Sequence, residues 1–199
     1  MENFLETSFV PKSGRFQKEV NPIHFSHLNT FFISMKYFLV CSLLLSTVFS
    51  LHAQGRKLPD VNVKTPEGQT VKVQDLAPAG KITVFSFWAT WCKPCVAELD
   101  AIRDLYPEWQ EKYNVEFVAV SVDDARTTAR VKTFVANKGW DYKIVTDTSK
   151  EFQLAMNVPN PPLTMVVNQK GEIVYDHLGY NPGDELELEE KIKAIAGGK

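Results

Sequence analysis

The sequence predicts an α/β fold in which a mixed β-sheet is flanked by helices and preceded by a β-hairpin. Residues 81–88 read Lys-Ile-Thr-Val-Phe-Ser-Phe-Trp, an almost continuous β-branched and aromatic run that is typical of a strand buried on both faces. Residues 94–113 then repeat apolar side chains at helical spacing. Strand and helix patterns keep alternating after that point, as in proteins whose helices pack on a sheet.

Each element has its own signal. Valines in 61–63 and 71–73, separated by Pro66-Glu67-Gly68, predict the N-terminal hairpin. Pro94 suits the first turn of the helix at 94–113, where no amide donor is needed. The same apolar patterns predict further strands at 115–122, 143–145, 163–167 and 172–176, and further helices at 127–138, 150–156 and 185–196. The turn Asn168-Gln169-Lys170-Gly171 joins the last two strands into a hairpin.

Composition indicates one globular domain. The chain has 199 residues, of which 44% are hydrophobic and 12% aromatic, with 10 glycines and 11 prolines. These values exclude a disordered or collagen-like chain. The net charge is −2, and neither sign forms a long block, so we expect neither a nucleic acid nor an anionic membrane surface as a partner.

An apolar leader precedes the domain. Met35 and Lys36 are followed by an apolar run that ends in Leu51-His52-Ala53-Gln54, which fits a secretory signal peptide over residues 35–53 with cleavage after Ala53. Leu51 is bulkier than the residue usual at that position, so an uncleaved membrane anchor stays open as an alternative. Both readings place the domain outside the cytoplasm, in the periplasm or another extracytoplasmic compartment.

The leader also divides the chain. Residues 1–34 lack clear periodicity and come before what already resembles a complete signal peptide, so we interpret them as a non-native or disordered extension, with Met35 as the true start. Residues 54–199 then form the folded domain.

The cysteines locate the chemistry. Cys41 lies in the leader, which leaves Cys92 and Cys95 in the folded region, at the junction of the buried strand and the helix. This spacing lets the two sulfurs meet, and the positive end of a helix stabilises a thiolate at Cys92. A structural disulfide would not need this setting. A zinc site would need further ligands, and His177 is the only histidine after the leader, so we expect a redox dithiol and no metal.

The segment Trp91-Cys92-Lys93-Pro94-Cys95 resembles the thioredoxin superfamily, and specifically its exported TlpA/ResA-like thiol–disulfide oxidoreductases. The resemblance covers roughly residues 58–196. Its other matching features are the N-terminal hairpin, Val120-Ser121-Val122-Asp123 at a strand end, the segment 157–164 and Gly171 in the last turn. It implies a thioredoxin-like three-layer α/β/α sandwich.

The resemblance also implies site residues. It implies that Pro162 is cis and closes a groove beside the cysteines, and that a substrate segment would contact Trp91, Lys93, Pro94, Pro161 and Pro162. Pro161 departs from the family pattern because it has no backbone N–H to offer a bound peptide. Ser86 stands where thioredoxin carries a buried Asp that assists proton transfer.

Glu98 matches the acidic residue that ResA-like proteins place three residues after the second cysteine. At that spacing its side chain points back over the preceding turn toward the sulfurs. A partly buried Glu98 would exchange protons with Cys95 near neutral pH, whereas a solvated Glu98 would only complement the positive helix end. Other residues are interpreted as structural: Trp109 and Trp140 as packing, Asp123, Asp124 and Asp147 as caps or turn residues, and His177 as a surface or core-edge residue.

These features predict an exported thiol–disulfide oxidoreductase that reduces protein disulfides. The Cys92 thiolate attacks a partner's disulfide and Cys95 resolves the mixed disulfide, with no cofactor beyond the redox-active Cys92–Cys95 disulfide. We expect a monomer whose partners are disulfide-containing or dithiol proteins of the exported compartment and an upstream electron-donor thiol protein. Two alternatives stay open, a thiol peroxidase related to the peroxiredoxins and a copper-binding thioredoxin-like module.

Overall fold

The computed structural model of the chain describes residues 55–198. The predicted extension at 1–34, the signal peptide at 35–53 with its cleavage site, and Cys41 lie outside the described residues. Over residues 55–198, no helix has both the length and the apolar character needed to cross a membrane.

An eight-stranded mixed sheet organises this part of the chain. Its strands are β1 (Arg56–Lys57), β2 (Asn62–Lys64), β3 (Thr70–Lys72), β4 (Ile82–Trp88), β5 (Val115–Ser121), β6 (Lys143–Thr146), β7 (Leu163–Val167) and β8 (Glu172–Leu178). The order across the sheet is β1-β8-β7-β4-β5-β6-β2-β3. The α-helices are α1 (Lys93–Tyr113), α2 (Val131–Lys138), α3 (Glu151–Ala155) and α4 (Asp184–Gly197).

The central strand β4 is buried along its whole length, as its apolar sequence predicts. It pairs in parallel with β5 and antiparallel with β7. Phe152 of α3 packs on Phe85 and Phe87, while Ser86 on the other face contacts Glu98 of α1. Helices therefore cover both faces of the sheet, which gives the predicted three-layer α/β/α sandwich.

The ends of several elements differ from the predicted ones. Strand β8 continues two residues further, to Leu178, because that residue still pairs with Leu163 of β7. The strand predicted to reach Val73 ends one residue earlier, and Val73–Leu76 turn into a short 3₁₀ helix that buries Val73 and Leu76. The helix predicted from residue 127 begins with a 3₁₀ turn at Thr128–Arg130 before α2.

The two-residue strand β1 has no signal in the sequence. It pairs antiparallel with β8, and the guanidinium of Arg56 lies 2.7 Å from the carboxylate of Asp176 on that strand. At the opposite edge, the β2–β3 hairpin joins the sheet through one pair, Lys64 with Thr146 of β6. Both edges are thus completed by segments that precede the central strand.

Candidate active site

The chain leaves β4 at Trp88 and enters a short loop that a buried carboxylate holds in place. Asp123 accepts hydrogen bonds from the Thr90 amide (2.9 Å), the Thr90 hydroxyl (2.6 Å) and the Ser121 hydroxyl (2.9 Å). It reaches Thr90 because β5 runs parallel to β4 and ends beside it, with Trp88 opposite Ser121. The sequence suggested a cap or turn residue, but Asp123 instead fixes the loop that carries the cysteines.

Cys92 and Cys95 form a disulfide, with their Cα atoms 5.4 Å apart. Cys92 is the N-cap of α1, and the Cys95 amide donates a hydrogen bond to the Cys92 sulfur at 3.3 Å. Cys92 is 6% exposed and Cys95 is fully buried. A partner therefore meets Cys92 first.

The start of α1 favours negative charge on Cys92. The first turn contains Pro94 and no acidic residue, while Lys93 is exposed beside the N-cap. Unpaired amides and the helix dipole stabilise an anion at such a position. Trp91, directly before the pair, is 62% exposed, so its ring is available to a partner.

Pro162 lies at the same end of the sheet as the cysteines. The Pro161–Pro162 peptide bond is cis, as expected, and Pro162 directly precedes β7. Leu163 pairs with Phe87, which places Pro162 near the end of β4 from which the cysteine loop departs. The Pro162 carbonyl accepts a hydrogen bond from the Gly179 amide at 2.8 Å, while Pro161 has no amide to offer.

Glu98 is buried in the interface between α1 and the sheet, with only 4% of its surface exposed. Its carboxylate accepts hydrogen bonds from the hydroxyls of Thr164 (2.6 Å) and Ser86 (3.2 Å). Burial raises the pKa of Glu98 from 4.5 to about 7, although both hydrogen bonds act in the opposite direction. The alternative of a solvated carboxylate at the helix end is therefore wrong.

Ser86 has a role that the sequence did not predict. Ser86 stands out in the sequence because thioredoxin carries a buried Asp at this position. In the structure, the Ser86 hydroxyl donates a hydrogen bond to the Glu98 carboxylate on α1. The buried carboxylate thus lies on the helix, one turn after Cys95, and β4 contributes a hydroxyl that donates to it. The pairing of Ser86 with Thr164 across β4 and β7 supplies both hydroxyls from one face of the sheet.

The remaining candidates have structural surroundings. Trp109 and Trp140 are buried, Asp124 holds the turn at Arg126, and Asp147 accepts the amides of Phe152 and Gln153 at the start of α3. His177 is partly exposed and lies 3.2 Å from Asp184. Among residues 55–198 there is no group of three or more His, Cys, Asp or Glu side chains arranged to hold a metal ion.

The fold and the cysteine pair define a thioredoxin-like thiol–disulfide oxidoreductase. The sequence profile of the AhpC/TSA family matches residues 54–176. The chain belongs to this family and, within the thioredoxin superfamily, is a TlpA/ResA-like thiol–disulfide oxidoreductase.

Individual relatives agree with this assignment. The chain is 31% identical to the thiol-disulfide oxidoreductase ResA of Bacillus anthracis over 133 residues, which cover 67% of this chain and 74% of that protein. It is 33% identical to the thioredoxin-like protein YneN of Bacillus subtilis over 135 residues, 67% of this chain and 76% of that protein. A solution structure of an uncharacterized thioredoxin-like protein from Porphyromonas gingivalis is 39% identical, has a TM-score of 0.64, and covers 73% of this chain and 97% of that one.

Proposed function

We propose that this protein is an exported reductase of protein disulfides that works through Cys92 and Cys95 with no other cofactor. The observation that carries the proposal is the combination of Cys92, the more exposed of the two cysteines, at the start of α1 with a buried carboxylate one turn after the second cysteine. The first feature supports attack on a disulfide, and the second supports proton removal from the resolving thiol.

The reaction has two exchange steps. The Cys92 thiolate attacks one sulfur of the partner disulfide, which forms a mixed disulfide and releases the partner's other sulfur as a thiolate that takes a proton. Cys95 then gives its proton to the Glu98 carboxylate and attacks the Cys92 sulfur. The Cys92–Cys95 bond forms, the mixed disulfide breaks, and the partner's second sulfur leaves as a thiolate that takes a proton from solvent, so that the partner departs with two thiols.

Glu98 suits the second step because its pKa lies near neutral pH. A carboxyl group whose pKa is about 7 accepts a proton from a thiol and releases it again near neutral pH. Its hydroxyl ligands, Ser86 and Thr164, fix the carboxylate in one orientation.

The leader and the surface of the site support the rest of the proposal. The signal-peptide pattern at 35–53 supports export, and one structural neighbour is described as a secreted disulfide oxidoreductase of Mycobacterium tuberculosis. Exposed Trp91 and Pro94, with half-buried Pro161, offer a partner protein an apolar surface around Cys92, whereas Pro162 is buried. After each turnover, an upstream thiol protein would return electrons to the Cys92–Cys95 disulfide.

Two measurements test the proposal. Alkylation of the reduced protein at neutral pH should label Cys92 before Cys95, and preferential labelling of Cys95 would overturn the assignment of the nucleophile.

Glu98→Gln should slow reduction of a disulfide-bonded test protein by about a hundredfold at neutral pH and flatten its pH dependence. Unchanged rates from about pH 5 to 9 would show that Glu98 takes no part.

The alternative activities provide controls. A thiol peroxidase would consume hydrogen peroxide rapidly, and a copper-binding module would retain Cu(I) at stoichiometry through dialysis. We expect slow peroxide consumption and loss of copper from the same preparation that reduces disulfides quickly. Fast peroxide consumption with slow disulfide reduction would favour the peroxidase instead.

Cys95→Ala, which cannot resolve a mixed disulfide, should capture the physiological partners from an extract.

A further inference from the structure

Glu98 is buried, so a proton that it takes from Cys95 needs a way out. The only neighbours that hydrogen-bond its carboxylate within the described residues are the hydroxyls of Ser86 and Thr164. Neither hydroxyl is a base, and both side chains are buried. Without a further group, Glu98 could become an anion again only by returning its proton to Cys95 when the disulfide is reduced.

A row of polar side chains crosses the sheet beneath Glu98. Ser86 on β4 pairs directly with Thr164 on β7, and Thr164 pairs directly with His177 on β8. Directly opposed residues of a sheet project from the same face. The row therefore continues from the buried carboxylate to His177, whose side chain is 35% exposed.

A small cavity lies between Glu98 and His177. Its volume is about 10 Å³, near the lower limit for one water molecule, and Glu98, Thr164, His177 and Asp184 are among the residues that line it. The Nε2 atom of His177 lies 3.2 Å from a carboxylate oxygen of Asp184, the first residue of α4.

We propose that His177, held by Asp184, carries protons between Glu98 and solvent through this cavity. The proposal rests on the proposed role of Glu98. His177 touches neither sulfur, so it is a positioning residue that acts through Glu98. Imidazole is the side-chain type that ordinarily gains and loses a proton between pH 5 and 8, and the contact with Asp184 holds the His177 ring at the cavity.

The proton balance is simple. The Cys95 proton moves to Glu98 when Cys95 becomes the attacking thiolate. Glu98 then transfers it, through one water molecule, to neutral His177, and the resulting imidazolium beside Asp184 releases it to solvent. Protons move in the reverse direction when an upstream thiol protein reduces the Cys92–Cys95 disulfide.

Other charged and titratable groups surround this route. Protonated His177 lowers the pKa of Glu98 and the Asp184 carboxylate raises it. Two more titratable side chains line the cavity, Tyr175 on β8, which is stacked on His177, and Glu185 on α4. Tyr180 donates a hydrogen bond to Glu185, and Lys191 lies over the Tyr175 ring. None of these groups joins the row of paired residues from Ser86 to His177.

The test uses His177→Ala in the full chain, with Tyr175→Phe as the matched control in the same cavity. The mixed disulfide is held at about pH 5, where Glu98 is protonated, and its resolution is started by a jump to about pH 8 and followed by acid quenching and mass analysis. Because Glu98 must lose its proton to solvent before Cys95 can attack, we expect His177→Ala to slow resolution after the jump about tenfold, and added imidazole to restore the rate in proportion to its neutral form. Tyr175→Phe should match the unmodified protein and show no response to imidazole.

The outcomes are distinguishable. A slow His177→Ala variant that imidazole does not rescue would show a merely structural role and overturn the proposal, as would a variant with an unchanged pH profile. Glu98→Gln, measured in parallel, reports on the proposed function itself. If Glu98→Gln is slow and His177→Ala is normal, the relay fails while the role of Glu98 stands. If Glu98→Gln is normal, both proposals fail.

Discussion

Asp123 shows how one residue outside the cysteine motif controls the position of the motif. It is buried, and its carboxylate satisfies three donors that belong to two different segments of the chain. Hydrogen bonds to charged groups contribute more than neutral ones, and donors left without a partner in the interior are costly. The loop between β4 and Cys92 is therefore held in one geometry.

Replacing Asp123 with alanine should lower the free energy of unfolding by about 3 kcal/mol, because the Thr90 and Ser121 donors lose their acceptor. Chemical denaturation of the oxidised protein measures this effect. Asp104→Ala is the control, since Asp104 is a largely exposed carboxylate that pairs with its sequence neighbour Arg103. Equal effects of the two substitutions would contradict the proposed anchoring of the loop by Asp123.

For single residues, the sequence predicts contacts between side chains that lie close together along the chain. Cys92, Cys95 and Glu98 share one helix, so helical spacing alone predicts that Glu98 points toward the sulfurs. The sequence predicts Asp123 as a cap or turn residue and His177 as a surface or core-edge residue, and His177 is indeed partly exposed. Their partners, Thr90 and Asp184, are set by strand pairing and helix docking, which the sequence does not show. Their carboxylate and imidazole chemistry was visible, but their contacts were not.

The start of α1 is the element that gives Cys92 its chemistry. Cys92 occupies the N-cap, and the first turn carries Lys93 and no acid. The helix dipole and the lysine therefore act in the same direction on a thiolate. The contribution of Lys93 is modest because its side chain is exposed to solvent, which screens its charge.

Lys93→Glu should reduce the fraction of Cys92 that is thiolate at a fixed neutral pH. Reversal of one charge in the first turn changes the thiolate-to-thiol ratio by roughly two- to tenfold. Ultraviolet absorbance of the thiolate in the reduced protein measures this ratio, and high salt should shrink the difference. Lys170→Glu makes the same change of net charge in the β7–β8 turn and should have no effect. A response to Lys170→Glu as large as that to Lys93→Glu would contradict a local cause.

The sequence predicts the bounds of helices and strands with strong apolar patterns closely. It does not predict strand segments that form only because they pair with another strand. Strand β7 has the predicted bounds, and β4 and α1 differ from theirs by one residue at the start. Strand β1 and the last two residues of β8 were missed because they exist through pairing with other strands. Polar residues such as Arg56 and Lys57 give no local signal for a strand.

At the scale of the whole molecule, the site places a destabilising group in the core. A carboxylate inside the α1–sheet interface loses hydration that two hydroxyls replace only in part. The surrounding core compensates through apolar packing, including buried Leu99 and Ile102 on the same helix. The fold thus tolerates a carboxyl group that is suited to catalysis at the expense of stability at high pH.

The pH dependence of stability should report this cost. In the folded protein the pKa of Glu98 is about 7 against an ordinary 4.5, so between these values the folded state holds a proton that the unfolded chain has lost. Glu98 therefore contributes least to the stability of the folded protein at high pH. The free energy of unfolding should fall by about 2 kcal/mol between about pH 5 and 8 through Glu98 alone.

Glu98→Gln removes this titration, so the variant should gain stability relative to the unmodified protein as the pH rises through 7. Urea unfolding at a series of pH values, with the Cys92–Cys95 disulfide intact, measures the difference. Glu108→Gln, a half-exposed glutamate on the same helix, is the control and should leave the pH profile unchanged. A constant difference between Glu98→Gln and the unmodified protein at all pH values would mean that Glu98 titrates alike in the folded and unfolded states, and the raised pKa on which its proton transfer depends would be wrong.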